Sequence, residues 1–201
     1  MRKMMCPYLK RAPLTRKFIW AIIQVQVFIV RGEHMPVDGF FVAAQVKEFK
    51  KHINLRVSKA CQPAAGELFL SMWGHEEAVL IFSIDPRAFS FHLSRRPFPF
   101  RESQTPFGAT VNKYLAGAKL IDIEQLPLER VVIFKWENFH KYHGLSYSHL
   151  IWEGMGKYSN LILVEPRQNE IIDVMKKVSP DINRVRTLLP GETYRLPPAQ
   201  E

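Results

Sequence analysis

Leu55-Arg-Val-Ser-Lys-Ala-Cys61, Glu67-Leu-Phe-Leu-Ser-Met-Trp73, Ala78-Val-Leu-Ile-Phe-Ser-Ile84 and Ala88-Phe-Ser-Phe-His-Leu93 follow one another with little but turn residues between them. Each run is short and either alternates or is apolar throughout, and Pro63, Gly66, Gly74 and Pro86 mark the breaks. That pattern predicts four strands in succession. With no helix-length segment between them, they pair as antiparallel neighbours rather than through parallel crossovers. Outward from this block, Asp38 stands where an N-cap belongs, before a helix expected over 39–53. There Val42, Val46, Phe49 and Ile53 form one apolar stripe. Downstream, 95–106 carries three prolines and is expected as an exposed loop. A second helix is expected over 107–116. Strands are expected over 118–125, 130–136, 148–155, 160–165 and 170–175, with a hairpin turn at 165–170. The sum is an α+β fold with an antiparallel, β-sandwich-like core and two or three helices.

The 201 residues, 47% of them hydrophobic, can bury one substantial core. Charge divides unevenly. Residues 1–34 hold seven basic residues against Glu33, leaving 21 of the 28 basic and 18 of the 19 acidic residues, a net of +3, for the rest. The high pI therefore describes the first 34 residues. A basic stretch there precedes the apolar run of residues 18–30, the outline of a signal peptide. No small-x-small cleavage site follows, and thirteen residues are short of the roughly 20 a membrane-spanning helix needs. The preferred reading of 1–34 is translated upstream sequence or an atypical extension, with an export signal or an added strand as alternatives. A domain is expected over 35–188, and 189–201 reads as the start of a linker.

Cys6 and Cys61 form no disulfide framework and no metal pair by spacing. His140, His143 and His149 lack carboxylate or cysteine partners at ligand spacing, so no metal is expected. Gly154-Met-Gly-Lys157 lacks the phosphate-loop frame and reads as a tight turn. Arg95, Arg96 and Arg101, interleaved with Phe98 and Phe100, have the composition of a surface that contacts phosphates and stacks bases, against the bland alternative of ordinary surface.

Five short motifs lie in one order: Met35-Pro-Val-Asp-Gly39; Lys59-Ala-Cys-Gln-Pro63; Ile123-Glu-Gln125 with Leu128-Glu-Arg-Val131; Glu153-Gly-Met-Gly-Lys-Tyr-Ser-Asn160; and a closing series. That series runs through Ile171-Ile-Asp173, Ser179-Pro180, Asn183-Arg184, Arg186, Leu189-Pro-Gly191, Tyr194 and Leu196-Pro-Pro198. Together they resemble the N-terminal domain of the bacterial RqcH/FbpA family. The resemblance implies a fold similar to the N-terminal domain of formamidopyrimidine-DNA glycosylases. It also implies a non-catalytic role in ribosome-associated quality control: recruiting tRNA, alanyl-tRNA in bacteria, to a large ribosomal subunit that holds a stalled nascent chain, so that C-terminal alanine tails are added. Carried over by position, the tRNA-binding residues are Asp38, Glu129 and Arg130, with Arg95, Arg96, Arg101, Lys113 and Lys157 as candidate RNA contacts. No cofactor and no membrane partner is expected, and the location is cytoplasmic. Glu129 replaces the family's usual Asp, Asn112 a usual Arg, Asn54-Leu55 a Gly-Gly pair, and Lys157-Tyr158 an Arg-His.

Asp38 as a plain helix cap, and Glu129–Arg130 as a surface ion pair worth about 0–1 kcal/mol, are the bland alternatives. Two other functional classes come into view. A lyase of the glycosylase type would need a free N-terminal proline amine. Pro36 nitrogen is instead a tertiary amide, and Val37 follows it where that chemistry wants Glu. Some family members are described as fibronectin- or fibrinogen-binding, so an extracellular-matrix adhesin is the alternative function.

Overall fold

The computed structural model describes residues 38–95, 105–140 and 144–198. The first 37 residues, and with them Met35 and Pro36, lie outside the described residues, as do Arg96, Phe98, Phe100, Arg101 and His143. The described chain is α+β: mostly antiparallel sheet with two α-helices. Helix α1 spans Gly39–Phe49 and tightens into a 3-10 turn over Lys50–His52. Strands β1 (Arg56–Cys61), β2 (Glu67–Trp73), β3 (Ala78–Ser83) and β4 (Ser90–Ser94) follow as a meander. Helix α2 (Pro106–Leu115) then leads to β5 (Lys119–Gln125), β6 (Val131–His140), β7 (Gly144–Glu153), β8 (Asn160–Glu165) and β9 (Glu170–Val174).

All nine strands belong to one sheet in the order β4-β3-β2-β1-β5-β6-β7-β8-β9. The sandwich expectation needs this refinement: there are not two separate sheets but one that folds over on itself. β3 and β6 stand four places apart in the order, about 19 Å if the sheet were flat. Yet the Phe82 and Phe134 rings meet edge-to-face at 4.9 Å, and Phe91 meets Trp152 at 5.0 Å. The fold line is the β1–β5 joint, where the strands overlap only near their starts, through Asn54 N to Leu120 O, Leu120 N to Leu55 O, Val57 N to Ala118 O and Gly117 N to Val57 O. Asn54 has φ +77° there, a left-handed conformation that Asn tolerates better than most non-glycine residues. This accounts for Asn standing where the family has glycine.

Between the two halves lies the main core. Val42, Val46 and Phe49 of α1 and Phe107, Val111 and Leu115 of α2 fill it together with the inward faces of the strands. Each helix is capped as its sequence suggests: Asp38 accepts from Phe41 N at 2.8 Å, and Thr105 Oγ1 accepts from Gly108 N at 3.1 Å. Asn112 accepts from Ala60 N at 2.8 Å, so the departure from Arg serves to tie α2 to β1.

Two expectations need correction. β6 and β7 are each ten residues long and pair as far as His140 with Gly144, where a loop was expected after Trp136. The cause is Asn138, a buried polar residue whose amide donates to Tyr114 O and Ala116 O at the end of α2. The closing segment, read as the start of a linker, packs on the domain as far as Tyr194. Glu192 O and Gly191 N pair with Ile171, Thr193 bridges Glu170, and Tyr194 N reaches Asn169 O. Strand β8 is apolar on both faces, so its outer side needs a cover. Leu188 and Tyr194 supply it over Val131, Ile151, Ile162, Val164 and Ile171.

Candidate nucleic-acid interface

Helix α1 contacts β5: its N-terminus meets the end of that strand through Gln125, and the chain just past its 3-10 turn meets the start through Asn54 N to Leu120 O. Its N-terminus meets the β5–β6 turn so closely that a Cβ on Gly39 would lie 2.0 Å from Leu128 O. Only glycine fits there. Gln125 Nε2 donates to both Gly39 O and Glu129 O, each at 2.8 Å, and so joins the helix start to the turn. The turn is closed by Leu126 N to Val131 O and Glu129 N to Leu126 O. Leu128 sits at φ +59°, a left-handed conformation costing a non-glycine residue roughly 1–2 kcal/mol. Asp38, Glu129 and Arg130 are thereby gathered at one corner.

The 153–159 loop abuts the same corner. Arg130 O accepts from Gly154 N at 2.8 Å, and Met155 N donates to Ser159 Oγ at 2.9 Å, shaping the 3-10 turn Gly156–Tyr158. Gly154 is held by packing, since a Cβ there would lie 2.3 Å from the Trp152 ring. Lys157 is exposed, its ammonium 4.8 Å from the Tyr158 ring centroid. Three large apolar side chains face solvent on these segments: Phe40, Leu128 and Tyr158 are 72%, 70% and 66% exposed. The corner thus offers a carboxylate at a helix cap, an acidic–basic pair, a lysine and exposed rings. Such a surface can contact phosphate and stack a base.

Arg95 and Lys113 are not part of it. Arg95 pairs with Glu76 at 3.3 Å, beyond the far end of α1. Lys113 lies beside the α2 terminus that Asn138 caps, at the opposite end of β6 from Arg130 and about 26 Å along the strand.

Directly behind the corner is a buried cluster that sequence reading missed. Glu153, 1% exposed and paired with Val131, accepts from Arg186 Nη1 at 2.8 Å, from Arg186 Nη2 at 2.5 Å and from the Tyr194 hydroxyl at 2.8 Å. Arg186 also donates to Arg195 O at 2.7 Å. Burial alone would lower the Arg186 pKa, but the Glu153 carboxylate outweighs it and holds the pKa above its ordinary value. Burial, reinforced by Glu153, pushes the Tyr194 phenol up as well. The available signal was a lone glutamate closing the apolar run Leu150-Ile-Trp-Glu153, since a buried charge demands a partner.

Residues 38–201 match the family model for the NFACT N-terminal and middle domains. The chain belongs to the NFACT family. It is 34% identical to the Rqc2 homolog RqcH of Streptococcus pneumoniae over 169 residues, 83% of this chain and 31% of that protein. It is 30% identical to RqcH of Bacillus subtilis, over 83% of this chain and 30% of that protein. The chain thus spans less than a third of the length of these relatives. Among solved structures, the N-terminal domain of the fibronectin-binding protein PavA from Streptococcus pneumoniae superposes with a TM-score of 0.76 at 34% identity, over 81% of this chain and 62% of that one. The fibrinogen binding protein from Staphylococcus aureus gives a TM-score of 0.71 at 28% identity, over 83% and 58%. Among the described residues, no helix is long and apolar enough to cross a membrane.

Proposed function

We propose that this NFACT domain is a cytoplasmic, non-catalytic module that binds tRNA and the large ribosomal subunit in ribosome-associated quality control, supporting alanine tailing of stalled nascent chains. The observation that carries this reading is the double hydrogen bond from Gln125 to Gly39 O and Glu129 O. It gathers at one corner the three residues that the family resemblance assigns to tRNA, although 86 positions separate Gly39 from Gln125. The same reading takes the fold to be like that of glycosylase N-terminal domains, without the lyase chemistry. Here Asp38 and the N–H groups of the first turn of α1 set the polarity of the corner. Arg130 presents its planar guanidinium to phosphate or a base edge, and Glu129 keeps that guanidinium oriented. Lys157 adds a point charge beside them, and Phe40 and Tyr158 offer faces for unpaired bases.

The test is a fluorescence-anisotropy titration of alanyl-tRNA at several salt concentrations. Arg130→Ala should weaken binding and flatten the salt dependence by about one phosphate contact. Arg130→Lys should recover little, because a point charge lacks the bidentate fork. Wild-type binding by Arg130→Lys would reduce the interaction to general charge and defeat the specific reading.

The names of the two solved relatives favour one alternative, binding of fibronectin or fibrinogen at the cell surface. Protease treatment of intact cells separates the two, since an adhesin is cleaved and a cytoplasmic factor is protected.

A further inference from the structure

At the far end of α1 from the proposed RNA corner, His52 closes the 3-10 turn, and His75 and Glu76 occupy the turn between β2 and β3. Folding brings one potential ligand atom from each of His52, His75 and Glu76 within 4.8 Å of one another. Glu76 Oε1 is hydrogen-bonded to His52 and stands 3.8 Å from His75 Nε2. The hydrogen bond joins His52 and Glu76, and His75 faces the same carboxylate oxygen as a third donor. A tetrahedral cation with bonds near 2.0–2.1 Å sets its donors roughly 3.3 Å apart, so side-chain shifts of about an ångström would let all three reach one ion. The surroundings suit such an ion. Arg95 Nη2 holds the other Glu76 oxygen at 3.3 Å, so that Oε1 faces the imidazoles, and Phe49 packs edge-on against the His52 ring at 6.3 Å. Metal-binding carboxylates are commonly braced by a hydrogen bond of this kind. The His52 and Glu76 side chains are 14% and 21% exposed while His75 is 54% exposed, which gives a half-sheltered site with an open approach.

We propose that His52, His75 and Glu76 bind a divalent cation of the zinc class through His52 Nδ1, His75 Nε2 and Glu76 Oε1, with water in the fourth position. Two imidazoles and one carboxylate favour zinc, cobalt or nickel over magnesium or calcium, which take oxygen donors. The expectation of no metal rested on spacing along the chain, and these donors come from segments 24 positions apart. A bound ion ties the C-terminal end of α1 to the β2–β3 turn, and so steadies the helix whose other end carries Asp38.

Isothermal titration of the metal-free full chain with zinc chloride tests this, with the visible spectrum of added cobalt(II) as a second readout. His75→Ala is the decisive variant, because it leaves the His52–Glu76–Arg95 contacts intact and its metal-free melting curve should match the wild type. One site is expected, weakened by roughly ten- to a hundredfold or more in His75→Ala, the loss typical even of an indirect brace. Glu76→Gln should weaken it likewise, and the cobalt band should disappear in both variants. Equal zinc binding by wild type and His75→Ala would assign the ion to other histidines and overturn the proposal, as would the lack of saturable binding.

Discussion

Arg186→Ala should be among the most damaging single substitutions in this domain, although the family resemblance assigns Arg186 no RNA contact. In the folded chain, Glu153 is 1% exposed and receives two hydrogen bonds from Arg186, at 2.8 and 2.5 Å, and one from Tyr194 at 2.8 Å. Truncation at Arg186 strands the carboxylate with a single donor in an apolar layer. Breaking a buried pair from one side typically costs about 3–5 kcal/mol. For a domain of this size, each kcal/mol shifts the melting temperature by roughly 2–4 °C, so a fall of about 6–20 °C is expected. The closing segment should detach with it, since Arg186 also holds Arg195 O. Removing the whole cluster at once is the control. In the triple variant Arg186→Met, Glu153→Leu and Tyr194→Phe no buried charge is left unpaired, and apolar replacement of a buried pair is often neutral or better. Urea unfolding of the single and triple variants measures both. A loss below about 1 kcal/mol in Arg186→Ala, or a triple variant weaker than the single, would refute the argument that the cost lies in the stranded carboxylate.

Two further predictions concern single residues. Asp38→Asn should preserve the melting temperature, because an amide oxygen still accepts from Phe41 N. It should nevertheless lower tRNA affinity. Asp38→Ala should lower both, with a stability loss of about 0.5–2 kcal/mol, and normal tRNA binding by Asp38→Asn would make the residue a cap and nothing more. His149, half-buried in β7, has its pKa held below the ordinary 6.5 by burial first and Lys135 second. Its folded form therefore prefers the neutral ring, and its stabilising contribution is complete above about pH 6.5 and lost as pH falls through the lowered folded value. Urea midpoints at pH 7.5 and 5.5 should differ less in His149→Gln than in the wild type, and an unchanged difference would remove His149 from the account.

Legibility differed from element to element for physical reasons. β2 and β8 match their expected bounds, Glu67–Trp73 and Asn160–Glu165, because turn residues bracket each run. The sequence pattern ends β6 at Trp136 because asparagine disfavours a strand, and Asn138 finds its partners only at the end of α2. Pro190, Pro197 and Pro198 made the closing segment look like a linker. The apolar outer face of β8, which decides otherwise, is a property of packing rather than of that segment. Asp38, Glu129 and Arg130 were named by family resemblance, and nothing in their spacing shows that they meet. Gln125, which brings them together, looks like any exposed strand glutamine. Asn54 and Asn112, departures from the family pattern, find ordinary structural uses in the left-handed joint before β1 and the tie to Ala60.

The order of the sheet also bears on how the domain forms as it leaves the ribosome. Every strand pairs with its neighbour in sequence except at one place, the β1–β5 joint. Two low-contact-order meanders can therefore zip locally, one before α2 and one after it. The entropic cost of closing a long loop falls on that single seam, where Asn54 to Val57 must find Gly117 to Leu120. Until β6 and β7 emerge, the inner face of the first meander, with Phe82 and Phe91, lacks the Phe134 and Trp152 rings that meet it in the folded domain. For a chain synthesised from its N-terminus, residues 117–120 set the seam, and folding can become cooperative once Trp152 of β7 has followed them.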